Sequence, residues 1–236
     1  MLFCLKEAPM LNRFRIFLTR FELFLWLTSM AVVAVSYIAF QSGDMLSLIA
    51  SLIGVTALIF VAKGHVLGQI LTIVFAVFYG VISWAFRYYG EVITYLCMTA
   101  PMALLALITW LRNPYKDSAE VSVHHLTKKQ WLWLSIAAIL VTAAFYFILQ
   151  AMGNAALAIS TLSITTSFLA SGLTALRSPY YALAYAMNDL VLIVLWVIAA
   201  LMDISSVPMV SCFVMFSLNN LYGFVSWKRM EQRQRA

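Results

Sequence analysis

The chain has 236 residues, 64% of them hydrophobic and 10% charged, with a mean hydropathy of +0.94 and a formal charge of +6. Water-soluble domains are about 45–50% apolar and about 25% charged, so charges are too few here to cover a water-facing surface, and lipid is the solvent that suits this composition. A nucleic-acid-binding surface is excluded as well, because the Lys and Arg residues stand at the ends of apolar runs instead of gathering on one soluble face.

A membrane-spanning helix needs about 20 mostly apolar residues. Eight such runs follow one another at 21–40, 44–62, 66–86, 91–111, 131–151, 157–176, 180–201 and 207–227. They are about twice as long as a barrel strand requires, so the prediction is an all-α integral membrane protein with eight transmembrane helices. The first run exceeds the roughly 7–15 apolar residues of a cleavable signal peptide and reads as a membrane helix. The connectors are short except for 112–130. With the N-terminus inside, the inner segments hold Lys6, Arg13, Arg15 and Arg20, then Lys63, then Arg112, Lys116, Lys128 and Lys129, then Arg177, and finally Lys228, Arg229, Arg233 and Arg235. Fourteen of the fifteen Lys and Arg residues are then inside and only Arg87 is outside, which by the positive-inside rule places both termini in the cytoplasm. Cys4, Cys97 and Cys212 form no CxxC pair and no disulfide framework. His65, His124 and His125 fall in inner loops at a spacing unlike that of a metal site and read as solvated; no metal or cofactor is expected.

An internal repeat is visible. Tyr79 precedes Trp110 by 31 residues and Trp196 precedes Trp227 by 31, each pair running from mid-helix to the end of the next helix. The preceding helix ends in Lys63 in one case and Arg177 in the other, and contains Ser51 and Gly54, or Ser167 and Gly172. The second to fourth spans therefore match the sixth to eighth, with the fifth as linker. One intervening span leaves both triplets in the same orientation, the parallel 3+1+3 repeat of SWEET-like transporters, here with an extra N-terminal helix. The expected units are 1–43 (cytoplasmic N-terminus and additional span), 44–111 (first triplet), 112–156 (loop and linker span), 157–227 (second triplet) and 228–236 (basic tail). Substrate sites in such transporters lie near the midplane between repeats.

Polar residues at membrane depth are the candidates for that site. Asn188 and Asp189 sit halfway along the seventh span, where an aspartate costs about 2.5–3.5 kcal/mol on insertion scales and so must face a partner or a wet cavity. Tyr181, Tyr185, Asn188, Leu192 and Trp196 share one helical face, bordered by Asp189. That stripe reads either as a cavity wall that stacks a flat ring and binds hydroxyls, or as an aromatic packing face whose Asn–Asp pair bonds a neighbouring helix. The eighth span adds Asn219 and Asn220, then Tyr222, Gly223 and Trp227. An Asn amide donates and accepts together, which suits a ribose diol, although an interhelical bond is an equal reading. Gly223 fits close helix packing and Trp227 the interface belt. In the third span Gln69, Thr72, Ala76, Tyr79 and Ser83 form a small and polar stripe that either packs tightly or lines a path. Trp84, Tyr88 and Tyr89 read as an outer aromatic belt. In the fourth span Tyr95, Thr99 and Pro101 stand out, the proline as a candidate kink.

HExxH, GxSxG and Gly-rich phosphate-loop patterns are absent, and Asp189 is read as the one acid clearly at membrane depth, so neither ATP drive nor a proton relay is expected. A membrane-embedded enzyme on a lipid substrate should gather His, Asp or Cys groups at an interface; the sequence has no such cluster, and an assembly subunit without a cavity is the third reading.

The stretches at 51–64 (SLIGVTALIFVAKG), 86–101 (FRYYGEVITYLCMTAP), 110–115 (WLRNPY), 178–196 (SPYYALAYAMNDLVLIVLW) and 220–227 (NLYGFVSW) resemble the PnuC family of nicotinamide riboside transporters, from about residue 44 to 229. The resemblance implies a SWEET-like fold and facilitated diffusion of nicotinamide riboside through a bacterial inner membrane. It also implies trapping by a cytosolic riboside kinase that feeds NAD synthesis, and a homo-oligomer such as a trimer. Family relatives for thiamine, riboflavin or deoxynucleosides keep those substrates as alternatives. Many members carry Trp-x-x-Trp-x-x-x-Asn in the seventh span; here 183–190 reads LAYAMNDL, with no tryptophan, and Tyr181 and Tyr185 are the replacement stacking surfaces. In this reading Tyr185 and Trp196 stack on the pyridinium, Asp189 offsets its charge, and Asn188 and Asn220 bind hydroxyls or the carboxamide.

Overall fold

The computed structural model describes residues 18–40, 45–116, 118–154 and 156–236. Cys4, Lys6, Arg13, Arg15 and the first residue of the second predicted run, Asp44, lie outside these. Among the described residues eight helices are long and apolar enough to cross a membrane. They are α1 (Arg20–Ala39), α2 (Met45–Ala62), α3 (Val66–Ala85), α4 (Tyr89–Arg112), α5 (Lys128–Ala151), α6 (Leu157–Ala175), α7 (Tyr181–Met202) and α8 (Val207–Arg235). The protein is all-helical; β pairing among the described residues is limited to isolated bridges.

Local chemistry sets the helix ends. Thr19 with Glu22 starts α1 and Thr127 with Gln130 starts α5, each as a reciprocal capping box. The imidazole of His65 accepts from the Leu67 N–H at 3.2 Å and caps α3; the residue is buried, not solvated as expected, because the loop after α4 covers it, with Val121 N–H donating to Gly64 O at 3.0 Å. Helices α2 and α6 stop alike. Gly64 (φ 64°) and Arg177 (φ 58°) take left-handed conformations, and their N–H groups donate to Val61 O and Thr174 O at 2.9 and 3.0 Å. In α4 the proline singled out as a candidate kink follows an irregular stretch. Thr94–Thr99 is a π-helical stretch that closes with Ala100 N–H on Tyr95 O, directly before Pro101. The wider turn accommodates a residue that lacks its own N–H. Helix α8 continues to Arg235, past the predicted end at 227, and Glu231 pairs with both Lys228 (2.9 Å) and Arg235 (3.4 Å) along its last turns.

The helices pack as two triplets. In the first, α3 lies between α2 and α4; in the second, α7 lies between α6 and α8. The triplets meet through α2 against α8 and α4 against α6, so the first helix of each touches the last of the other. Gly54 permits the α2–α8 approach, since a Cβ there would overlap the Phe216 ring. Helix α5 packs on α6, and α1 on α2 and α8. The buried carboxylate of Glu22 fastens α1 by accepting from Lys63 Nζ at 3.0 Å and from Tyr222 Oη at 2.9 Å. The α2–α3 turn, the loop residues 113–116 and 118–127, the α6–α7 turn and the end of α8 gather at one basic end of the bundle.

Two buried aromatic clusters sit at different depths. Nearer the basic end Trp110 and Trp227 lie 5.4 Å apart, and each reaches into the opposite triplet: Trp110 Nε1–H donates to Thr174 O at 3.1 Å, and Trp227 Nε1–H to Val61 O at 2.8 Å. Trp227 is fully buried, which replaces the interface-belt expectation. Towards the Arg87 end, Tyr79, Tyr95, Trp196 and Phe213 form the second cluster. Tyr88 belongs to it, packed edge-on against Trp196 at 5.7 Å, whereas Trp84 is exposed as a belt residue would be.

Candidate functional site

Between the two aromatic clusters, at the junction of the triplets, lies a cavity of about 50 Å³. The second triplet supplies most of its polar wall: Tyr181, Tyr185, Asn188 and Asp189 from α7, with Asn220 from α8. The first triplet supplies Gln69 and Thr72 from α3, and Tyr95 and Thr99 from the π-helical stretch of α4. Apolar contact comes from Leu58, Phe75 and Phe216. A small-molecule site spans roughly 300–1,000 Å³, so a guest of that size fits only if the lining parts.

Helical geometry puts Asn188 and Asp189 about 100° apart on α7, and each finds its own neighbour. Asn188 Oδ1 accepts from three hydroxyls of α6: Ser163 at 3.3 Å, Thr166 at 2.8 Å and Ser167 at 3.0 Å. Asp189 Oδ2 accepts from Asn220 Nδ2 at 2.7 Å, which joins α7 to α8. Asn188, Asp189 and Asn220 are all buried. Among the described residues no ion pair involves Asp189, and no Lys, Arg or His lines the cavity. Asp189 is thus the acidic side chain of this lining, and no cationic side chain opposes it there. Gln69 Nε2 is buried with no protein acceptor among the described residues, a condition that costs about 1–3 kcal/mol and that an acceptor on a guest would relieve.

Of the candidate residues read from the sequence, Gln69, Tyr95, Thr99, Tyr181, Tyr185, Asn188, Asp189 and Asn220 come together on this cavity. Tyr79, Trp196 and Asn219 do not line it. Trp196 lies a further two turns along α7, donating to Tyr79 Oη at 2.7 Å within the second aromatic cluster. Asn219 faces α1, where its Nδ2 donates to Ser29 Oγ at 2.9 Å; the added N-terminal helix occupies that side of α8. Sequence reasoning missed one acid at depth. Glu91 is 0% exposed, beside Ser163 of α6, although Asp189 reads from the sequence as the one acid clearly at membrane depth. Its signal is a glutamate as the first residue of a predicted apolar span. Among the described residues no cluster of His, Cys, Asp and Glu suits a metal ion.

The family model described as nicotinamide mononucleotide transporter matches residues 44–229. Among similar curated proteins, the nicotinamide riboside transporter PnuC of Neisseria mucosa is 24% identical over 220 residues, covering 91% of this chain and 83% of that protein. The protein of the same name from Haemophilus influenzae is 25% identical over 214 residues, covering 88% and 90%. A crystal structure described as the vitamin B3 transporter PnuC superposes with a TM-score of 0.83 at 23% identity, covering 96% of this chain and 98% of that one, which shows the shared fold.

Proposed function

We propose that this chain, which belongs to the nicotinamide mononucleotide transporter family of multi-pass membrane proteins, carries nicotinamide riboside across the membrane by facilitated diffusion. The observation that carries the substrate assignment is the cavity wall: Asp189 without a cationic partner among the described residues, beside Tyr185, Asn188, Asn220 and the unpartnered amide of Gln69. Such a wall suits an aromatic cation that also carries hydroxyls and a carboxamide. It does not suit a phosphate, which would meet a carboxylate and no Lys or Arg. The riboside therefore fits this wall better than the mononucleotide of the family description.

The two triplets act as a parallel SWEET-like repeat. The reciprocal bonds of Trp110 and Trp227 to Thr174 O and Val61 O support this, because both acceptors stand three residues before the left-handed residue that ends the helix. The basic end faces the cytoplasm of a bacterial cell by the positive-inside rule. A cytosolic kinase that phosphorylates the riboside gives net uptake its direction and feeds NAD synthesis. A homo-oligomer such as a trimer is the assembly. The chain works as a transporter and not as an enzyme.

Counterflow in proteoliposomes tests the assignment. Labelled nicotinamide riboside should exchange, chemically unchanged and without ATP or an ion gradient. An excess of unlabelled riboside should compete, and nicotinamide mononucleotide should not. Competition by thiamine, riboflavin or a deoxynucleoside in place of the riboside would reassign the substrate.

A further inference from the structure

Glu91 is a fully buried carboxyl that the transport reading does not use. Helix α4 holds it in place. The Gly90 N–H donates to Asn154 Oδ1 at 3.2 Å, Asn154 Nδ2 donates to Ser160 Oγ at 2.9 Å, and Gly90 lies so close to Ser160 that a Cβ would collide with it. This contact presses Glu91 onto α6. Its Oε2 lies 3.3 Å from Ser163 Oγ, and its Oε1 has no partner among the described residues. No Lys, Arg or His forms an ion pair with it among the described residues; the five ion pairs there involve Glu22, Glu120 and Glu231.

Ser163 connects this carboxyl to the cavity. Its Oγ is 3.3 Å from Glu91 Oε2 and 3.3 Å from Asn188 Oδ1, yet it owns a single proton. If the proton goes to Glu91, Ser163 has only a lone pair for Asn188. If Glu91 donates as a neutral carboxyl, Ser163 passes its own proton on to Asn188 Oδ1, in concert with the hydroxyls of Thr166 and Ser167. Thr166 and Ser167 donate to that oxygen at 2.8 and 3.0 Å, and the second arrangement adds Ser163 at 3.3 Å as a third donor on the α6 side. No hydrogen bond among the described residues uses Asn188 Nδ2, which leaves that donor for a guest.

We infer that Glu91 is a positioning residue for the substrate: acting through Ser163 as a neutral hydrogen-bond donor, it holds the Asn188 amide with its oxygen in α6 and its NH2 available to an acceptor on the guest, such as a ring carboxamide or a ribose oxygen. This rests on the proposed riboside site. The role differs from that of Asp189, which lines the cavity and acts by charge.

The test is calorimetric binding of nicotinamide riboside to the detergent-purified full chain, with unfolding temperature and monodispersity recorded for every variant. Glu91→Gln keeps a neutral donor and should bind within about threefold of the parent. Glu91→Ala and Ser163→Ala each break the chain and should bind about tenfold more weakly, the size of one modest hydrogen bond. The double variant should be no weaker than either single one, because both changes break one chain. Parental affinity in Glu91→Ala, a Gln variant as weak as the Ala variant, or additive losses in the double variant would each overturn the inference. If Glu91→Ala does not fold, parental affinity in Ser163→Ala overturns it instead. A parent that binds no riboside overturns the substrate reading, and this inference with it; a parent that binds while the Ala variants match it overturns the inference alone.

Discussion

The indole N–H of Trp196 donates to the phenol oxygen of Tyr79 at 2.7 Å, across the junction of the two triplets. Both side chains are fully buried, and the rings of Phe86 and Tyr88 close over Trp196 at 4.9 and 5.7 Å. On the other side of the cavity, Trp110 and Trp227 meet at 5.4 Å. The four residues whose 31-residue spacing marks the proposed repeat thus form two cross-triplet pairs, one on each side of the polar chamber. Under the proposed transport function, a guest that crosses the chamber from one side to the other has to pass both aromatic layers.

Trp196→Phe keeps an aromatic ring but removes the donor, so Tyr79 loses a buried partner. The expected cost is about 1–3 kcal/mol of stability, read as a lower unfolding temperature in detergent. Because Trp196 does not line the cavity, riboside affinity should stay within about threefold of the parent. A tenfold loss of affinity with unchanged stability would instead place Trp196 against the guest.

Much of this arrangement is legible in the sequence, and the remainder is hidden for definite reasons. Span number follows from hydropathy and basic residues, because lipid forces each backbone to satisfy itself within its own helix, whereas α8 runs on past its predicted end to Arg235. The faces of α7 follow from helical period. Adjacent residues resist this logic. Asn219 and Asn220 are identical in type and about 100° apart, and only the docking of α1 on α8 decides that Asn219 meets Ser29 while Asn220 meets Asp189. Trp196 shares the face of Tyr185 and Asn188, but depth along the helix, not face, decides which of them reaches the cavity. Glu91 is hidden because its burial comes from α6, more than 70 residues later in the chain.

The two asparagines should separate cleanly on mutation. Asn220→Ala leaves the Asp189 carboxyl without its 2.7 Å donor at the cavity and should weaken riboside binding about tenfold or more. Asn219→Ala removes the bond to Ser29 and should cost about 1 kcal/mol of stability with affinity unchanged. Calorimetry and thermal unfolding on the same two preparations decide this; equal losses of affinity would mean that the α1 side of α8 also reaches the guest.

Gln69→Met should have effects of opposite sign in the empty and the loaded protein. The parent carries a buried Nε2 with no acceptor among the described residues, so an apolar side chain of similar length should leave the unliganded protein as stable or more stable by up to about 1 kcal/mol. The same change deletes a donor on the cavity wall and should weaken riboside binding about fivefold. A variant that loses stability without ligand would show that Gln69 is satisfied within the fold and that its amide is not held for substrate.

Charge, as distinct from hydrogen bonding, is isolated by Asp189→Asn. The substituted amide oxygen still accepts from Asn220 Nδ2, so the α7–α8 link survives while the negative charge disappears. Two opposite charges about 5 Å apart at an effective dielectric near 20 attract by about 3 kcal/mol before screening. Oxidised nicotinamide riboside, whose pyridinium ring is cationic, should therefore bind about 10–100-fold more weakly to the variant. The reduced riboside has a neutral dihydropyridine ring of nearly the same shape and should bind parent and variant within about threefold of each other. Calorimetry with both forms reads the difference directly. Equal losses for the two would assign Asp189 a hydrogen-bonding role alone and remove the electrostatic basis for a cationic substrate.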